Sequence, residues 1–168
     1  YNLVMVNLNL VKPHDLWYAI GLIVTDGNLS IDGRHISITS KDREVLIKVK
    51  KALSLTNKVG LKARAAQSIK KYSVLQFGDI KFYEYLLEIG LTPKKSLTLG
   101  PVRVPNKYFR DFLRGVIDGD GSIHVWIHKS NQHIQWALRI TSGAWHFSNW
   151  LKEKIESEFS VRGKLYAY

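Results

Sequence analysis

The chain of 168 residues has no cysteine. Disulfides, thiolate zinc sites, iron–sulfur clusters and a cysteine nucleophile are therefore excluded. It has no long hydrophobic run. The longest near-apolar stretch, Trp17 to Val24, is far shorter than a membrane span. The N-terminal segment YNLVMVNLNLV has no basic region ahead of its apolar residues, so it does not read as a secretory signal. The first residue is Tyr1 rather than Met, and the numbering is expected to begin inside a longer product. Low-complexity segments are absent, as are a phosphate-binding Walker loop and a serine-hydrolase elbow. Acidic residues are scarce, with 14 Asp+Glu against 25 Lys+Arg, a formal charge of +11.

What is present is ordinary globular composition: 45% hydrophobic and 23% charged residues. Such a composition suits a folded chain, and this length can bury roughly 70% of the surface an unfolded chain exposes. The positive charge is spread evenly. Residues 1–90 carry 13 basic and 8 acidic groups, and residues 91–168 carry 12 and 6. Both halves therefore face a polyanion, and nucleic acid is the first candidate, because phosphate neutralisation supplies affinity without sequence information.

Gly90-Leu91-Thr92-Pro93 through Gly100-Pro101 to Pro105 gathers turn-forming residues and reads as a linker. On either side lie WYAIGLIVTDGNLSI (Trp17 to Ile31) and FLRGVIDGDGSIHV (Phe112 to Val125), which share Gly-x-x-x-x-Asp-Gly. In the first half, residues 15–25 read as a helix with a capping side chain at His14-Asp15. Leu29, Ile31, Ile36 and Ile38 alternate with polar residues around a turn at Asp32-Gly33, which predicts a hairpin. Residues 42–54 read as an amphipathic helix. A second hairpin follows (Val59–Ala66, Tyr72–Gly78), and then a helix over 79–89. The order is αββαββα.

The second half begins the same way. A helix is expected over 107–119, alternating strands around Ile123–Ile127 and Ile134–Ile140, and an amphipathic helix over 144–158 whose apolar face includes Trp145 and Trp150. A last strand is expected over Val161–Tyr168. The fold expectation is α+β: two pseudo-symmetric αββαββα repeats, the second incomplete at its C-terminus, forming an antiparallel sheet saddle. The repeats are assigned to 1–92 and 107–168, joined by a linker over 93–106.

Gly21 and Thr25, and likewise Gly115 and Gly119, stand one helical turn apart on one face. Small residues at that spacing let two helices pack backbone to backbone, which accounts for glycine where it costs roughly 1 kcal/mol relative to alanine. The helices end at Asp26 and Asp120, with Gly27 and Gly121 in the stop position. Paired in this way, the carboxylates would repel each other at the negative ends of two helix dipoles. A divalent cation relieves both problems, and two such ions can drive phosphodiester hydrolysis. Asp118-Gly119-Asp120 opens like a calcium loop, but Ile123 and Lys129 occupy its required Gly and Glu positions. His124 and His128 lie in a strand pattern without a supporting ligand set.

AIGLIVTDG (Ala19–Gly27) and LRGVIDGDG (Leu113–Gly121) resemble the two signature helices of the LAGLIDADG homing endonucleases. GLTPKKS (Gly90–Ser96) and VPNKYFRDFLRG (Val104–Gly115) are similar to the segments joining the halves in single-chain members encoded by introns or inteins. The resemblance covers nearly the whole chain. It implies a monomer that cuts both strands of a long double-stranded DNA site across the minor groove, located within the cell with the genome. It implies Mg2+ or Mn2+ on Asp26 and Asp120. It further implies a catalytic lysine, mapped to Lys95 with Lys94 as competitor. Val24 departs from the motif's first acid, which Asp118 keeps. Ser40 and Ser142 match positions where the family often has Gln near the water network. Host intron RNA is the alternative partner, in a maturase role, and a non-cleaving DNA-binding relative is a further alternative.

A strand rises about 3.3 Å per residue, so alternate side chains can follow base edges in a major groove. The polar strand faces nominate Ser30, Asp32, Arg34, His35, Ser37, Lys62, Arg64, Tyr72, Gln76, His124, Trp126, His128, His133, Gln135 and Arg139 as readers. Lys70, Lys71 and Lys129 at the hairpin tips are nominated for phosphate contact.

Overall fold

The computed structural model describes Val6 and residues 10–62 and 72–167, without the side chain of Lys62. The predicted readers Arg64, Lys70 and Lys71 lie outside the described residues.

The first half runs α1 (Pro13–Asp26), β1 (Gly27–Leu29), β2 (His35–Ser40), α2 (Arg43–Ala52), β3 (Val59–Lys62), β4 (Tyr72–Gly78) and α3 (Ile80–Glu88). The second runs α4 (Phe109–Asp120), β5 (Gly121–Ile127), β6 (Ile134–Ile140) and α5 (Trp145–Phe159), with a short 3-10 turn at Asn106–Tyr108. The element order therefore follows the alternation patterns in the sequence, and the chain is α+β with antiparallel sheets. Among the described residues no helix is long and apolar enough to cross a membrane.

The first sheet has strand order β1-β2-β4-β3 and is antiparallel throughout. The period of two puts Ile36, Ile38, Leu75 and Phe77 on its inner face, all 2% exposed or less. Helices α1, α2 and α3 cover that face. The outer face carries the polar row Asn28, Ser37 and Gln76, aligned across three strands by the register Asn28↔Ser37 and Ser37↔Gln76. Asp42 caps α2 by accepting from the Glu44 amide at 2.9 Å. Buried Asp79 caps α3 from the Phe82 amide at 2.9 Å and also accepts from the Val6 amide, tying the N-terminal segment down.

Among the described residues the second sheet has only β5 and β6. Their register pairs Ile123 with Leu138, Val125 with Trp136, and Ile127 with Ile134 on one face. That alternation predicts a buried face, yet Ile123 is 71% exposed, Val125 66% and Trp136 72%. The two halves explain the difference. Ile36 and Ile38 are the first-half counterparts of Leu138 and Ile140, and they are covered from the β4 side, where β4 pairs with β2 and α3 packs against β2. No described element stands in the equivalent place beside β6. Alternation thus reports the amphipathic face, while burial depends on a neighbour. Ile36→Ala should cost about 3 kcal/mol in urea unfolding, whereas Ile123→Ala should cost less than about 0.5 kcal/mol. Equal losses at the two positions would refute this asymmetry.

Three local expectations are corrected. The α1 N-cap is Lys12 with Pro13 as first helical residue, and neither His14 nor Asp15 caps it. His14 instead reaches Asp111 on α4, at 2.6 Å. Residues 161–167 form no strand and pair with no described strand. Trp145, expected in the core, is 55% exposed. Trp150 does pack inward, 6.0 Å from Phe112 and 5.7 Å from Phe147 between ring centroids, joining α5 to α4.

Candidate metal site at the paired helix ends

The most extensive packing in the molecule is α1 against α4. Glycine makes it possible. A methyl group added at Gly21 would lie 3.0 Å from the Gly115 Cα and closer still to the Phe112 carbonyl oxygen. One added at Gly115 would lie 3.0 Å from the Gly21 Cα and closer still to the Tyr18 carbonyl oxygen. The two clashes mirror each other, so the helices cross about a local pseudo-twofold. One turn further on, a methyl at Gly119 would meet the Thr25 Cβ at 2.7 Å. Thr25 and Gly119 therefore abut, and the next residue in each helix is the acid.

The glycines after the acids have a different reason from the one expected. Gly27 and Gly121 are extended (φ −88° and −85°), not left-handed. Each strand turns back so tightly that a methyl at Gly27 would lie 2.7 Å from the Ile23 Cα, and one at Gly121 2.8 Å from the Ile117 Cα. β1 and β5 thus leave directly from the acids.

The carboxylates of Asp26 and Asp120 have no hydrogen-bond partner among the described residues, and the last turns of α1 and α4 hold no basic residue. Desolvation, then repulsion by Asp120, pushes the Asp26 carboxyl from 3.8 up to about 6, against a lowering pull from Lys95. Burial also raises Asp120, again opposed by Lys95. Lys95 is 6% exposed and is the only buried lysine among the described residues. Burial lowers its ammonium from 10.5 to about 8, while Asp120 and Asp26 pull it upward. Its Nζ donates to the Val24 carbonyl in the last turn of α1. Lys94, the competitor, is exposed with φ +58°, so the turn aims its side chain elsewhere. A cavity of about 280 Å³ opens beside the acids, lined by Thr25, Lys95, Ser96, Asp120, Thr141 and Ser142 among others. Ser142 thus lies at this opening; Ser40 ends β2 and makes a turn contact, its Oγ accepting from the Asp42 amide at 3.2 Å.

Among the described residues no group of three or more His, Asp or Glu side chains could enclose an ion. Two carboxylates are nevertheless the kind of donor set that suits Mg2+ or Mn2+, which keep several waters and complete their shells from substrate phosphates. The unpartnered, mutually repelling pair fits that group.

The nominated readers fall on two polar surfaces. Ser37 and Gln76 are opposite one another on the first sheet, with Tyr72 at the start of β4 and Lys62 at the end of β3. Ser30, Asp32, Arg34 and His35 form the β1–β2 turn. Its loop uses Asp32 internally: the carboxylate accepts from the Arg34 and His35 amides at 3.0 Å and from the His35 ring. Those bonds hold the Asp32 carboxyl well below the usual range. His124, Trp126, Gln135 and Arg139 share the polar face of β5–β6, and His128, Lys129 and His133 sit at its turn. Asn28 was not nominated. It is exposed two residues after Asp26, in the row with Ser37 and Gln76. The signal was the alternation itself, obscured because β1 is only three residues long.

No family model matches the sequence, and no curated protein matches it. Solved structures do match. The N-terminal LAGLIDADG domain of DUF199/WhiA aligns with TM-score 0.57 at 17% identity, over 97% of this chain and 74% of that one. Full-length DUF199/WhiA from Thermatoga maritima aligns with TM-score 0.51 at 12% identity, over 94% of this chain. The alignment covers 48% of that protein, so the chain spans about half its length. The LAGLIDADG homing endonuclease I-GzeII, in complex with its DNA target, aligns over 77% of this chain and 66% of that one at 11% identity, with TM-score 0.45. At these identities the likeness is one of architecture, and the chain has a LAGLIDADG-like fold.

Proposed function

We propose that this chain is a site-specific endonuclease that hydrolyses both strands of double-stranded DNA with Mg2+ or Mn2+. One observation carries the reading: two carboxylates without partners meet at the ends of interlocked helices, beside a single buried lysine. A structural role would satisfy or neutralise such acids; a cation and a phosphate do so in a nuclease.

Asp26 and Asp120 would hold the cations, which when bound would supply activation of a water and charge stabilisation at the leaving oxygen. Lys95, oriented by the Val24 carbonyl, places positive charge where the pentavalent phosphate gains negative charge. The outer sheet faces read base edges, and the even basic charge supplies sequence-independent affinity.

Lys95→Met should lower the cleavage rate by roughly 100-fold while leaving DNA affinity within about twofold. The check is cleavage of a randomised duplex library with Mg2+, alongside a binding assay on the same DNA. Cutting by the parent protein at one recovered sequence supports the reading; binding without cutting favours a non-cleaving relative. Failure with DNA, together with rescue of host-intron splicing, would favour the maturase role.

A further inference from the structure

The two flanks of the α1–α4 pair are chemically unlike. On one flank the Tyr18 hydroxyl donates to Asp118 at 2.7 Å, and Arg114 lies over the Tyr18 ring at 4.7 Å. Further along, His14 meets Asp111 at 2.6 Å, and Arg114 approaches Asp111 at 3.9 Å. His14 and Tyr18 come from α1; Asp111, Arg114 and Asp118 come from α4. Aligned on Gly21 and Gly115, the counterparts of Tyr18 and Asp118 are Phe112 and Val24, and those of Asp111 and Arg114 are Trp17 and Ile20. The other flank is therefore apolar and buried, with Trp17 and Phe112 rings 6.5 Å apart.

A glycine notch brings backbones together but offers few side-chain knobs to resist sliding, and apolar contacts are non-directional. A hydrogen bond has direction and a narrow range of length. Tyr18 is 5% exposed, and its hydroxyl bond is half-buried, reaching from the helix interface to the exposed Asp118. We infer that the polar flank is a register latch, in which Tyr18 and Asp118 are positioning residues that fix how far α1 slides along α4. Through that register they set the spacing of Asp26, about two turns beyond Tyr18, and Asp120, two residues beyond Asp118. The inference rests on reading those acids as cation ligands.

The absence of cysteine makes a direct test practical. Nitroxides on Lys12→Cys and Arg110→Cys report the α1–α4 spacing by pulsed electron paramagnetic resonance, and Mn2+ titration of unlabelled protein reports the acid pair. In Tyr18→Phe the distance distribution should broaden and the Mn2+ dissociation constant should rise roughly fivefold to tenfold, the scale of one hydrogen bond. Asp118→Asn keeps an acceptor oxygen and should keep the distance distribution near the parent's. Leu86→Ala, in the α3 core, controls for lost stability and should leave both unchanged. An unchanged distribution in Tyr18→Phe overturns the latch. A broadened distribution with unchanged Mn2+ affinity makes Tyr18 a strut and overturns the positioning role. If the parent binds no Mn2+ while Tyr18→Phe still broadens, the nuclease reading fails and the latch stands.

Discussion

Replacing Asp26 by asparagine is expected to abolish DNA cleavage while making the metal-free protein more stable. The catalytic loss should be at least roughly 1,000-fold, because an ion at this position supplies several kcal/mol of transition-state stabilisation. The stability gain follows from proton linkage. The Asp26 carboxyl titrates near 3.8 when unfolded and near 6 when folded. Folding therefore favours its protonated form, and the stability this confers is present below about pH 4 and lost as pH rises towards 6. Asparagine removes that loss. Discounted for partial solvent screening, the gain above pH 6 is about 1 kcal/mol, vanishing near pH 4. Thermal unfolding at several pH values, with and without Mg2+, measures it. In the parent Mg2+ should recover the lost stability; in the variant it should have little effect. A variant that still cuts, or one destabilised at neutral pH, would contradict the account.

Gly115→Ala should be, with Gly21→Ala, among the most damaging single-methyl changes at the described residues. Helix propensity favours alanine by roughly 1 kcal/mol, so an ordinary helical glycine would gain from the change. Here the methyl meets the Tyr18 carbonyl oxygen and lies 3.0 Å from the Gly21 Cα and the Leu22 amide nitrogen, all main-chain atoms that cannot swing aside. Overpacking wins, and the net loss should be about 3 kcal/mol or more in urea unfolding. If the variant folds, its helices must separate, so Mn2+ binding should fall along with stability. Gly100→Ala, which meets nothing within 4 Å, is the control and should be close to neutral. A stabilised Gly115→Ala would mean that the helices do not interlock.

Much of this was legible in the sequence because it rests on spacing. Gly21 and Thr25, and Gly115 and Gly119, disclosed the paired helices through a single turn of separation, and the alternations at Ile36–Ile38 and Leu75–Phe77 disclosed strands. What stayed hidden depends on neighbours that spacing does not name. Ile123, Val125 and Trp136 alternate as core residues do, yet no described element covers them. Lys94 and Lys95 are adjacent, and only the left-handed turn at Lys94 decides which is buried. Gly27 and Gly121 looked like left-handed stops, but the tight return of each strand over its helix is what requires them. The bond from Tyr18 to Asp118 joins residues one hundred positions apart, and no local pattern announces it.

The central claim is that Asp26 and Asp120 share bound divalent cations. Titrating Mn2+ into the parent, Asp26→Asn and Asp120→Asn near neutral pH, with free Mn2+ read by electron paramagnetic resonance, tests it most directly. The account predicts binding by the parent that is lost or strongly weakened in either variant. Equal Mn2+ affinity in all three proteins, or none in the parent, would contradict it.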